Sequence, residues 1–172
     1  MEFSEVQYFR RWWSWAAVIA LNGLLLYAIF QQIILGKPFG EKPAPDMVLI
    51  LLEIFLLLLL TFLFSIKLKT TINEQGISYR YYPFQLKNTF INWHELNDAY
   101  MRNYNSLYEY GGWGIRKGSQ RTGDAVNTSQ SCNIGLQLQF TDGRLFLVGT
   151  RRPEELKNVI DNVVAAGKIN KR

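Results

Sequence analysis

Two runs of apolar residues near the N-terminus dominate the hydropathy pattern. Trp12 to Leu35 holds no charged residue over 24 positions. As a helix rising 1.5 Å per residue it extends roughly 36 Å, enough to cross a bilayer core. Met47 to Ile66 carries a single charge, Glu53, over about the 20 residues that a span requires. Between the two runs, Gly36 to Asp46 contains three prolines and two glycines, which stop a helix and suit a tight turn. The pattern predicts a hairpin of two transmembrane helices, about 12–35 and 47–66, in a membrane segment 1–66. A cleaved signal peptide has an apolar core of only about 7–15 residues followed by small side chains; here Ile33, Ile34 and Leu35 occupy that place. Ahead of the first run, Ser4 to Gln7 fits a capping box, which predicts a helix that starts in water and runs on into the membrane.

From about residue 68 the continuous apolar pattern gives way to alternation, the period of strands with one buried face. Leu68–Asn73 and Ile77–Tyr82 flank Glu74-Gln75-Gly76, a short hairpin turn. Further strands are predicted over Phe84–Trp93, Leu96–Tyr104, Trp113–Lys117 and Asp124–Thr128, with an aromatic, glycine-rich loop from Asn105 to Trp113. The clearest hairpin is Gly135–Phe140 and Leu145–Val148 around Asp142-Gly143, a strong turn dipeptide, with Leu136, Leu138 and Phe140 facing inward. A helix closes the chain: Pro153 suits its first position, Glu154 and Glu155 its first turn, and Gly167 its C-terminal cap. Leu156, Val159, Ile160, Val163 and Val164 make one apolar stripe on it.

Seven or eight short strands followed by one amphipathic helix is the plan of a pleckstrin-homology-like (PH-like) barrel or sandwich, here predicted over 67–172. Ile91-Asn-Trp-His-Glu-Leu96, Tyr110-Gly-Gly-Trp-Gly-Ile-Arg116, Gly135-Leu-Gln-Leu138, and Asp142-Gly-Arg144 through Gly149-Thr-Arg-Arg-Pro-Glu-Glu-Leu156 carry a resemblance over nearly the full length. The chain resembles bacterial membrane proteins in which a transmembrane hairpin precedes a PH-like domain. That group supplies no catalytic residues to carry over, and phosphoinositide-binding signatures are not evident.

Charge refines the topology. Arg10 and Arg11 precede the first span and Lys67 and Lys69 follow the second, against Lys37 and Lys42 in the loop. Counting basic residues near span ends places both termini in the cytoplasm, at a bacterial inner membrane. Trp12, Trp13 and Trp15 then lie at the inner interface. From Lys67 onward there are fifteen Lys/Arg against nine Asp/Glu, so the basicity belongs to the C-terminal domain, and the tail Lys168 to Arg172 is drawn to anionic lipid.

Candidate chemistry is sparse. Glu53, the one ionisable group at membrane depth, lies about 9 Å inside the outer end of its helix, level with Tyr27 and Gln31 on the antiparallel partner. Because a buried carboxylate is costly, the expectation is an intramembrane polar lock of Glu53 with Tyr27 and Gln31. Arg102, Arg116, Lys117 and Arg121 cluster around the glycine-rich loop as a possible anion or lipid-headgroup rim. Gly111-Gly-Trp-Gly114 fits neither the dinucleotide fingerprint nor the P-loop. A lone Cys132 and a lone His94 give no zinc spacing and no nucleophilic triad, so no enzyme, metal or cofactor is expected. Scattered basic residues argue against nucleic acid. The expected function is a membrane-anchored, non-enzymatic binding or scaffold module with the lipid bilayer and a protein partner or a second copy as its contacts. The alternative is an accessory subunit of a transporter or membrane enzyme, acting through the hairpin around Glu53.

Overall fold

The computed structural model describes residues 2–9, 12–128 and 133–169. It divides into two compact units, Arg10–Ser65 and the combination of Met1–Phe9 with Ile66–Arg172. Arg10, Arg11, Cys132 and the last three residues of the basic tail lie outside the described residues.

The helical unit contains α1 (Trp12–Ile29), prolonged by a π-helical turn (Phe30–Ile34), and α2 (Asp46–Ser65). Both are long and apolar enough to cross a membrane. Their antiparallel register is pinned at both ends. The rings of Trp15 and Phe64 lie 4.2 Å apart at one end. At the other, the Gln32 side-chain amide donates to the Ala44 carbonyl at 2.7 Å and to the Asp46 carboxylate at 2.6 Å. Buried positions follow a narrow seam, Asn22 and Ala28 on α1 and Leu49, Glu53 and Leu56 on α2.

Among the described residues, the other unit contains nine strands in two sheets rather than a closed barrel. The first sheet has the order β1-β2-β3-β4, built from Phe3–Tyr8, Lys67–Ile72, Gly76–Tyr82 and Thr89–Asn92. The second has the order β5-β8-β9-β7-β6, in which β5 is Leu96–Asn103, β6 Gly114–Arg116, β7 Asp124–Asn127, β8 Ile134–Phe140 and β9 Leu145–Gly149. All pairings are antiparallel except β7 with β9. A short helix α3 (Ser106–Tyr110) interrupts the expected aromatic loop, capped by the Asn105 side chain, which accepts from the N–H groups of Leu107 and Tyr108. The closing helix α4 (Pro153–Ala165) buries Leu156, Ile160 and Val163, as its stripe requires.

Leu68, Ile72 and Ile77 of the first sheet and Leu136, Leu138 and Val148 of the second are all essentially inaccessible. Tyr79 stacks on Phe146 at 5.1 Å between the sheets. Asn92 and Glu95 form a reciprocal capping box on the 3₁₀ turn Trp93–Glu95, and the Trp93 indole N–H donates to the Asn73 carbonyl at 3.0 Å. The motif Ile91–Leu96 thus locks the turn between the first two hairpin strands, while His94 is exposed.

Two sequence expectations are corrected. Ser4–Gln7 does not cap a helix; it lies within β1, which pairs with β2 from Phe3↔Ile72 to Tyr8↔Lys67. A six-residue ladder satisfies far more backbone groups than one cap, whose worth is about 1 kcal/mol. The hairpin segment therefore begins after Phe9 rather than at residue 1, and residues 10–65 are an insertion between adjacent strands: the Phe9 N–H donates to the Ile66 carbonyl at 3.2 Å. The second correction concerns Phe84–Trp93, where the strand begins only at Thr89. Gln85 folds back on β3, its side-chain oxygen accepting from Tyr81 N–H at 2.8 Å and its carbonyl accepting from the Arg80 guanidinium at 3.0 Å.

Candidate functional site

The strand β1 turns Glu5 and Gln7 inward. Phe3, Glu5 and Gln7 are buried while Val6 and Tyr8 are 43% and 48% exposed. The reason lies at the end of β9. The Glu5 carboxylate accepts from the Thr150 hydroxyl at 2.7 Å and from the Arg151 N–H at 2.9 Å. The Gln7 amide donates to the Gly149 carbonyl at 2.7 Å, and its oxygen accepts from the Thr128 hydroxyl at 2.9 Å. From outside, the Arg151 guanidinium donates to the Tyr8 carbonyl and that of Arg152 to the Ser4 carbonyl, while Arg152 also pairs with Glu155. Gly149–Leu156, one of the motifs singled out in the sequence, is thus a clamp on the strand that leads into α1.

The four basic residues grouped around the glycine-rich loop do not form one rim. Arg102 is fully engaged within the fold: its guanidinium donates to Gln137, Glu109 and the Tyr110 hydroxyl, each at 2.7 Å. The Tyr110 hydroxyl in turn donates to the Thr122 carbonyl at 3.2 Å. Burial holds that phenol above its ordinary pKa, opposed by the Arg102 charge, which suits a neutral donor. Arg116, Lys117 and Arg121 are exposed on β6 and the loop after it. Replacing Arg102 by Met leaves Glu109 and Gln137 without their donor in a partly buried site. We expect a loss of about 2 kcal/mol in thermal unfolding, with no change in anion binding.

The polar lock expected in the hairpin is not made by Tyr27 and Gln31. Tyr27 is 58% exposed and meets Phe39 edge-on at 6.0 Å. α1 is apolar all round, so its sequence offers no phase from which to read the face that meets α2. Gln32 makes the interhelical contact instead. Glu53 does lie in the seam at 5% exposure, and among the described residues neither of its carboxylate oxygens has a hydrogen-bond partner. Asn22, also in the seam, leaves its side-chain oxygen in the same condition while its amide donates to the Val18 carbonyl.

The concavities of the sheet unit include two of about 720 and 350 Å³. The larger, about 720 Å³, runs beside the edge strand β4, floored by Tyr79, Phe90 and Phe146 and rimmed by Glu95, Asp124 and the paired Asp142 and Arg144. The smaller, about 350 Å³, is walled by Phe9, Ile66, Tyr81, Phe84, Ile115 and Arg116, among others. Burial raises the Tyr81 hydroxyl pKa, and the Arg116 charge acts against that rise. Among the described residues no group of three or more His, Cys, Asp or Glu is placed to hold a metal ion.

The Glu5–Gln7 network and both concavities escaped the sequence reading. The available signal is the alternation of Glu5–Tyr8, which has the period of a strand with its polarity inverted.

No curated protein matches the chain. A family described as of unknown function matches residues 1–167, which takes in the helical insertion, both sheets and the clamp, and the chain belongs to that family, DUF6141.

Proposed function

We propose that the protein is a membrane-anchored, non-enzymatic binding module. The hairpin spans the bacterial inner membrane with both ends cytoplasmic, and the sheet unit, a PH-like sandwich, holds a partner at the inner face. The observation that carries this reading is the insertion of two bilayer-length apolar helices between the adjacent strands β1 and β2. Two covalent connections leaving one strand pair restrain the sheet unit far more than a single linker does.

The groove along β4 is the partner site in this reading. That strand ends its sheet, so its outer backbone groups are open to an added strand, the geometry of β-augmentation. The aromatic floor and three acidic side chains against one arginine favour an extended segment with apolar and basic side chains. A photo-crosslinker at Phe90 in native membranes is expected to trap a discrete adduct that Asp124→Arg abolishes. No adduct, or the same adduct from position 108 on α3, would contradict the assignment.

The accessory-subunit reading draws on Glu53 and Asn22, whose buried oxygens lack partners among the described residues and would be satisfied by a neighbouring membrane helix. It predicts that Glu53→Gln weakens copurification of that neighbour in mild detergent. The binding-module reading predicts an unchanged yield.

A further inference from the structure

We infer that the loop 83–88, together with Ile115 and Arg116, forms a lip that dips into the lipid surface and engages anionic phospholipid. The inference rests on the reading that the hairpin spans a bilayer. It begins with strand register. Tyr8, Lys67 and Tyr82 are consecutive partners across β1, β2 and β3. Lys67 follows the end of α2 by two residues, and Tyr8 precedes the start of α1 by four. At about 3.5 Å per residue, this row lies within roughly 14 Å of chain from both span ends. The loop that continues from Tyr82 is therefore tied to the headgroup layer by the ladder itself.

The loop has the chemistry for that position. Because Gln85 is folded back on β3, Phe84 and Leu86 point outward, 59% and 83% exposed, and Ile115 on β6 is 45% exposed. Phe84, Ile115 and Arg116 also wall the 350 Å³ pocket, together with Phe9 and Ile66, so the exposed apolar side chains continue into a cavity at the two places where the chain leaves and rejoins the sheet. Cations surround them. Lys67 and Arg80 lie 5.0 and 4.0 Å from the Tyr82 ring centroid, and Lys87 follows Leu86. No acidic residue occurs from Gly76 to Asn92. Apolar tips flanked by basic residues and aromatic rings match the acyl boundary below and anionic headgroups above.

The test uses the full chain with Cys132→Ser and one new cysteine carrying a bimane fluorophore, in vesicles containing lipid with a nitroxide on the upper acyl chain. Label at Leu86→Cys is expected to be quenched to an extent approaching that at Leu58→Cys in α2, and about threefold more than at Tyr108→Cys on α3. Adding phosphatidylglycerol to phosphatidylcholine vesicles is expected to deepen quenching at position 86, and Lys87→Gln with Arg116→Gln to remove that increment. If position 58 is quenched and position 86 behaves like 108, the lip is overturned while the anchor stands. If position 58 is not quenched, both fall. Quenching at 86 that is equal in neutral and anionic vesicles overturns the headgroup assignment.

Discussion

A fragment that begins at Lys67 is expected to aggregate or remain unfolded, whereas a chain in which residues 10–65 are replaced by a short glycine-containing turn joining Phe9 to Ile66 is expected to fold in solution. The fragment lacks β1, so β2 loses six register partners and becomes an unpaired, partly apolar edge prone to association. It also loses Phe3 from the core and the partners of the Thr150 and Thr128 hydroxyls, the Arg151 N–H and the Gly149 carbonyl. Removing a buried Phe costs about 3–5 kcal/mol and each orphaned buried polar group about 1–3. Together these equal the whole stability of an ordinary domain, about 5–15 kcal/mol. The turn-closed chain keeps every one of these contacts, since its two ends already meet as neighbours in a ladder. Size-exclusion chromatography and far-UV circular dichroism separate the two outcomes. A monodisperse, β-rich 67–172 fragment would show that β1 is dispensable.

Within the folded chain, Glu5→Ala is expected to be the most damaging replacement of a polar residue in β1. It strips the acceptor from the Thr150 hydroxyl and the Arg151 N–H in a site where Glu5 is only 5% and Thr150 only 2% exposed. Two unsatisfied donors and the lost carboxylate contacts amount to about 3 kcal/mol, or roughly 12–20 °C in melting temperature for a domain of this size. Val6→Ala, one residue along the same strand but facing outward, is expected to change stability by well under about 1 kcal/mol. Thermal melts of the full chain in detergent, followed by near-UV circular dichroism, measure both. Equal effects at the two positions would refute the inward orientation of Glu5.

This inversion explains where sequence reading stopped. The hairpin was legible because length and apolarity are local properties that need no tertiary information. The turn at Asp142-Gly143 and the stripe of α4 were legible for the same reason, since each is a periodic signal with its own punctuation. The strand β1 was not. Its inward residues are Glu5 and Gln7, acceptable there only because Thr128 and Gly149–Arg151, more than 120 positions away, complete their hydrogen bonds. Local signals alone favoured a cap.

The candidate sites divide along the same line. The burial of Glu53 followed from composition, but the face of α1 it meets did not, as a uniformly apolar helix has no phase to read. Arg102 looked like a free cation because the residues from Ala99 to Asn105 carry no other charge. In the fold it is enclosed by Glu109 and Tyr110 from α3 and by Gln137 from β8. The exposure of Phe84 and Leu86 was hidden because Pro83 marks a strand end without indicating how long the loop is, and the folding back of Gln85 sets that length.

If, as proposed, residues 10–65 hold the sheet unit at a membrane, their removal releases it. Alkaline carbonate extraction of membranes from cells producing either the full chain or the chain with 10–65 replaced by a turn tests this most directly. The full chain is expected to stay in the pellet and the shortened chain to be released, folded, into the supernatant. Release of the full chain, or retention of the shortened one, would contradict it.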